Sequence, residues 1–288
     1  MEMNVSTQEE QVVAKKAGGL NPAIVLPILF VIGICIYLFV LGNPGNFKED
    51  PRLTGASVAM SDIPLKEVHP ESFMGIIYMG GPIVPILITF MITVIVFSFE
   101  RFFVLRRAAG KGNLDNYVVK VRGLLNKNKI DEAIEECDAQ QGSVGNVVKE
   151  GLTTYKALTN DNTLNKEQKL VALTKSIEEA TTLEMPMLEK NMMILSTLGT
   201  VATLVALLGT VIGMIKAFFA LGSGGGTPDA AALSIGISEA LINTALGIGT
   251  SAVAIIMYNY FTAKIDGLSY RIDEAAFSMG QTFSTHNK

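Results

Sequence analysis

MMILSTLGTVATLVALLGTVIGMIKAFFALGSGGGTPDAAALSIGISEALINTALGIGTSAVAIIMYNYF, residues 192–261, decides the fold of this chain. From Asn191 to Ala263 only Lys216, Asp229 and Glu239 are charged. About 20 apolar residues cross a hydrocarbon core about 30 Å thick, so the stretch holds two crossings. The segment Leu221 to Asp229, LGSGGGTPD, divides them. Its glycines end one helix. Thr227 is the expected N-cap of the next, Pro228 its first helical residue, and Asp229 sits beside the positive end of its dipole. The halves, about 192–221 and 231–261, are each long enough to span at about 1.5 Å per residue.

Two more apolar runs lie upstream. No charge falls between Glu71 and Glu100, with Ile76 to Phe99 as the apolar body, and none between Lys16 and Lys48, where Ala23 to Leu41 is nearly all aliphatic. The composition agrees: 49% hydrophobic and 17% charged, against about 25% charged in soluble domains. The expected fold class is all-α, an integral membrane protein with four transmembrane helices, the last two extended into a cytoplasmic helical domain. The first run reads as a span because it exceeds the roughly 7–15 apolar residues of a cleaved leader, and no small-x-small site follows directly.

Orientation follows the lysine and arginine bias. Residues 100–190 hold fourteen basic residues, with Arg101, Arg106 and Arg107 at a membrane edge. Lys15 and Lys16 precede the first span, and Lys264, Arg271 and Lys288 follow the last. Both termini and residues 100–190 are therefore expected in the cytoplasm. The resulting plan has a cytoplasmic segment 1–20, a first span 21–41, and an outer loop 42–75 with Pro44, Pro51, Pro64 and Pro70. A channel-like region 76–275 follows, with spans at about 76–99, 192–221 and 231–261, and a tail 276–288.

The 100–190 region reads as helical. Leu114, Val118, Val121 and Leu125 recur at helical spacing behind a cap at Asn113. Ile130, Ala133, Ile134 and Cys137 form a second stripe, and Val144, Val147, Val148, Leu152 and Tyr155 a third. Leu170, Leu173, Ile177, Ala180 and Glu184 lead toward the third span, with a bend expected at Pro186. Cys35 and Cys137 fall in different compartments, which argues against a disulfide. His69 and His286 are near neither, so no metal ligand set exists. Basic arms with interleaved aromatics are absent, which argues against nucleic-acid binding. No set of nucleophile, base and orienting group supports an enzyme.

Glu239 is the residue of most interest. A carboxylate inside a span costs roughly 2.5–3.5 kcal/mol on insertion scales, so it is expected to face protein or water. Asn243 follows one turn on, in a small or polar stripe of Gly236, Ala240, Asn243, Gly247, Thr250 and Ala254. The third span has its own stripe of Ser196, Thr200, Thr203 and Thr210. Two readings stand. In one, Glu239, Asn243, Thr244, Thr203 and Thr210 line a proton or ion route. In the other, small residues serve close helix approach, with Gly209 and Gly213 as a further pair, and the threonines bond their own helix. Lys216, near the outer end of the third span, either snorkels outward or pairs with Glu239. Glu100 and Arg101 read as interfacial anchors, and Asp229 as a helix-start residue.

At Leu208-Gly-Thr-Val-Ile-Gly-Met214 and Gly236-Ile-Ser-Glu-Ala-Leu-Ile-Asn-Thr244 the chain resembles the MotA/TolQ/ExbB proton channel family, more closely ExbB and TolQ than flagellar MotA. The likeness extends over Glu100-Arg101-Phe-Phe-Val-Leu-Arg-Arg107 and Tyr258-Asn-Tyr-Phe261, roughly residues 75–275. It implies a homopentamer around a single-span ExbD-like or TolR-like subunit that sits in the central pore and carries a titrating aspartate. Thr210, Glu239 and Thr244 would face that pore. Protons would be the coupling ion, with no other cofactor, and a TonB-like protein the driven partner, in a bacterial inner membrane. Two departures stand out. Thr203 and Ala206 occupy places where the family often has proline and glycine, and four spans replace the usual three of ExbB and TolQ. Four spans are similar to MotA, so a MotA-like stator stands as an alternative, beside a TolQ-like envelope role. A secondary transporter would need inverted repeats and broken mid-membrane helices, which the spans lack.

Overall fold

The computed structural model describes residues 20–47, 70–160, 163–222 and 229–286. Lys15 and Lys16, Pro51, Pro64 and His69, and Thr227 and Pro228 lie outside the described residues. Those described are helical almost throughout, and four helices are long and apolar enough to cross a membrane. They group into two compact units. The membrane unit is residues 21–99 and 191–261; the polar unit holds 100–190 and the chain from 262.

In the membrane unit, α1 (Pro22–Cys35) begins at Asn21, whose side chain accepts from the Ala23 amide at 3.2 Å. It continues as a π-helical turn, Ile36–Leu41. A short helix α2 (Phe73–Tyr78) then leads to α3 (Val84–Ala108). The ends of the intervening loop are drawn together. Phe47 and Pro70 form an antiparallel bridge, and the amides of Glu71 and Ser72 donate to the Asn46 carbonyl at 3.0 and 3.2 Å.

The apolar run 76–99 is thus not one helix. It is cut by an elbow, Met79–Ile83, ending in a 3-10 turn over Gly81–Ile83. Gly81 has φ +75°, a conformation that only glycine takes without strain, and Pro82 next to it favours a fresh helix start.

The last two spans are α8 (Met192–Gly222) and α9 (Ala230–His286). Asp229 caps α9 itself, its Oδ1 accepting from the Ala232 amide at 3.0 Å. They run antiparallel along a glycine seam. A Cβ on Gly247 would sit 2.1 Å from the Ala206 Cβ, one on Gly213 2.7 Å from the Gly236 carbonyl, and one on Gly209 2.8 Å from the Asn243 Cβ. Ser251 Oγ donates to the Gly199 carbonyl. In a bilayer, where burial of apolar surface does not drive helices together, such close approach and cross-helix hydrogen bonds do.

The polar unit has its own core. It is built by α4 (Leu114–Asn126), α5 (Ile130–Gln140), α6 (Gly142–Asn160), α7 (Lys166–Glu189) and the end of α9. The expected stripes supply it: Val118, Val121, Leu125, Val144, Val148, Leu152, Leu173 and Ile177 are buried. Burial of each such side chain stabilises by roughly 1.5–3 kcal/mol. Tyr155 meets Phe283 edge-to-face at 4.8 Å. Asn113 caps α4 as expected, accepting from the Asp115 amide at 2.8 Å. Tyr117 donates to Cys137 Sγ at 3.1 Å. Burial pushes that thiol up to about 11, so it stays protonated and unreactive at neutral pH.

Two expectations are corrected here. The helix expected to bend at Pro186 and lead on into the third span carries Pro186 inside α7 and is interrupted further on. The chain breaks at Lys190 and Asn191, where Asn191 adopts φ +64°. Proline leaves the Thr182 carbonyl without its helical donor, and the helix lasts less than one further turn. Asparagine then tolerates the left-handed conformation better than most residues. Arg101, read as an anchor, is instead fully buried. Its guanidinium grips Glu100 through two hydrogen bonds of 2.5 Å and donates to the Leu188 carbonyl at 3.2 Å. It therefore closes the C-terminal end of α7 with a positive charge, where the helix dipole favours one.

Candidate functional site

The site is built on the seam between α8 and α9. Glu239 faces inward on α9 and is 1% exposed. Lys216 on α8 reaches across and donates to both carboxylate oxygens, at 2.6 and 2.8 Å. Lys216 therefore pairs with Glu239 rather than snorkelling freely. The pair is lopsided: the lysine side chain is 49% exposed and the glutamate 2%. The carboxylate is sealed in, while the ammonium is its link to the surroundings.

The elbow closes over the carboxylate. A Cβ on Gly81 would lie 2.5 Å from Glu239 Oε1, so the absence of a side chain there makes the space the carboxylate fills. Asn243, one turn on and wholly buried, donates through Nδ2 to the Gly80 carbonyl at 3.0 Å. Its Oδ1 is buried and takes no hydrogen bond among the described residues.

A second polar element lies nearby on the seam. The hydroxyls of Thr210 and Thr244 are 2.5 Å apart, and either can be the donor. Each also reaches a backbone carbonyl of its own helix at 3.0 Å, Ala206 for Thr210 and Ala240 for Thr244. Each hydroxyl carries one proton and two lone pairs. Whichever donates to its own helix accepts from the other, so the pair has two equivalent hydrogen-bonding states. Thr210 opens on a groove of about 580 Å³ lined by Val211, Met214, Ile215, Phe218 and Phe219.

The structure sorts the sequence candidates. Lys216 and Glu239 form an ion pair, and Thr210 and Thr244 a hydroxyl pair. Asn243 ties α9 to the elbow. Thr203 is exposed on α8, two turns before Thr210. Gly236, Ala240, Asn243, Gly247, Thr250 and Ala254 are all buried, so that stripe is packing seam. Sequence reasoning missed Gly80 and Gly81, although a Gly-Gly-Pro run inside an apolar segment is a breaker signal.

Replacing Thr210 and Thr244 together by valine removes both hydroxyls at nearly constant volume. Proton flux through reconstituted protein is expected to fall by about tenfold or more, with oligomeric state unchanged. Unaltered flux would leave the pair with packing alone.

Residues 140–274 match the MotA/TolQ/ExbB proton channel family, a segment that contains all six candidates. A 115-residue stretch is 32% identical to the biopolymer transport protein ExbB of Xanthomonas campestris, over 40% of this chain and 45% of that one. An 82-residue stretch is 42% identical to its namesake in Helicobacter pylori, over 28% and 56%. A putative ExbB homolog of Methanothermobacter thermautotrophicus is 27% identical over 188 residues, 65% of this chain and 62% of that one. The chain spans less than half the length of the Xanthomonas relative.

Proposed function

We propose, from the match of residues 140–274 to the MotA/TolQ/ExbB proton channel family, that the chain is the scaffold and channel subunit of an inner-membrane motor driven by the proton motive force. The reading rests on one observation: a buried carboxylate held by Lys216 inside an otherwise apolar pair of spans. Such a group is costly in a membrane and is accounted for by work done on charge. Proton uptake by Glu239 would release Lys216, and Asn243 Oδ1, one turn on, offers an acceptor for the neutral carboxyl. The Thr210–Thr244 hydroxyls offer a relay with two states. One charge crossing about 100 mV supplies roughly 2.3 kcal/mol, so a few protons per cycle suffice to bias an element whose two states differ by a few kcal/mol.

The finer proposal is an ExbB-like role, energising TonB-dependent transport across an outer membrane. Five copies would surround an ExbD-like or TolR-like single-span subunit, with both termini cytoplasmic. Copurification from native membranes followed by mass measurement tests this. A ring of about five chains with a small single-span partner is the expected result. A stable monomer would overturn it, and partners of an envelope or motility complex would redirect it to the TolQ-like or MotA-like role.

A further inference from the structure

We infer that the first span is a working part of the channel unit, and that its Tyr37 positions the elbow covering Glu239. The inference takes from the preceding reading only that Glu239 is the working carboxylate.

The elbow backbone lies directly on α9 around that residue. Besides the Gly81 contact, a Cβ on Gly80 would sit 2.7 Å from Ile242 Cγ2, and the Gly80 carbonyl receives Asn243. A glycine-rich elbow has little stiffness of its own, so something else fixes it. Two residues before Gly80, Tyr78 is stacked on Tyr37, ring centroids 4.7 Å apart and planes 15° from parallel. Tyr37 Oη donates to the Tyr78 carbonyl at 3.3 Å, and Phe47 packs edge-on against Tyr78 at 5.7 Å.

Tyr37 is presented by the π-helical turn that ends the first span, and such turns recur at functional sites. Below that turn the span reaches α3: a Cβ on Gly33 would lie 3.3 Å from the Thr89 Cβ. Above it, Asn46 donates through Nδ2 to the Val40 carbonyl at 2.8 Å and accepts from Ser72 Oγ at 2.9 Å. The first span is therefore held on both sides of the stack, by α3 below and by the cap of α2 above. None of these residues falls within the family match, which begins at residue 140.

The test uses the full chain, a water-soluble carbodiimide with an amine nucleophile, and peptide mass to read modification. Asp229, exposed at the start of α9, is the internal standard. Tyr37→Ala is expected to raise the Glu239 rate relative to Asp229 on the order of tenfold, by local opening of the elbow. Tyr37→Phe keeps the stack and stays within about twofold of wild type. Gly33→Cys with Thr89→Cys, in a Cys35→Ser background, reports whether the spans remain paired: the two Cβ atoms would lie 3.3 Å apart, just short of the usual disulfide range, so a small outward shift of one helix accommodates the bridge. Faster labelling in Tyr37→Ala with that disulfide still forming supports the inference. If Tyr37→Ala no longer cross-links, Tyr37→Leu, which keeps bulk without the stack, is read in its place. An unchanged Glu239 rate, or a disulfide that fails to form without the Tyr37 change, overturns it. The labelling needs no energised transport, so failure of the motor reading leaves this result standing, and the reverse.

Discussion

Replacing Glu239 by alanine reduces proton-driven work by about 100-fold or more while membrane insertion and assembly stay intact. The asymmetry of the ion pair is the reason. Lys216 is half-exposed, so without its partner the ammonium can extend outward on its four-carbon stem at little cost. The fold tolerates the change, but the carboxylate proposed to take up the proton is gone. The converse replacement, at Lys216, strands a buried carboxylate, and its effects on activity and folding would be entangled. Glu239 is thus the cleaner variant. The measurement is proton flux in liposomes, beside complementation of energised uptake in cells lacking their own subunit. Full activity in either would remove Glu239 from the mechanism.

Arg101→Ala is the second large effect, and it falls on stability. Arg101 is wholly buried, and the carboxylate it grips is only 7% exposed. Removing one member of such a pair leaves the other desolvated, at a cost of about 3–5 kcal/mol. The Leu188 carbonyl loses its donor as well. The apparent Tm of detergent-purified protein is expected to fall by roughly 10 °C. Arg101→Lys should recover little, because a single ammonium cannot reproduce the two-pronged grip. A fall of less than about 2 °C in the alanine variant would mean that the pair contributes nothing net, as many exposed pairs do.

The sequence was legible where information is one-dimensional. The four spans follow from run length and the absence of charge, and Glu239 and Lys216 stand out because nothing around them is charged. The stripes of α4 and α6 were readable because helical period and burial coincide there. Pairing Lys216 with Glu239 took three dimensions: 23 residues separate them, and only the antiparallel register of α8 and α9 brings them level. Arg101 was misread because a cation at the end of an apolar run has two fates, anchoring or burial, and the choice depends on Leu188, 87 residues away. The cap of α9 shifted from Thr227 to Asp229 for a local reason, since both residue types cap well and helix ends drift by one or two positions. Tyr37 gave no signal, as an aromatic in an apolar span reads as lipid-facing until its stacking partner is known.

The glycine seam limits where a wet conduit can run. At Gly247 and Gly213 there is no room for even a methyl group between α8 and α9, so water cannot thread between them without prising the two apart along their length. A water path of the kind proposed above would have to run along a flank of this helix pair, and the half-exposed ammonium of Lys216 marks one such flank.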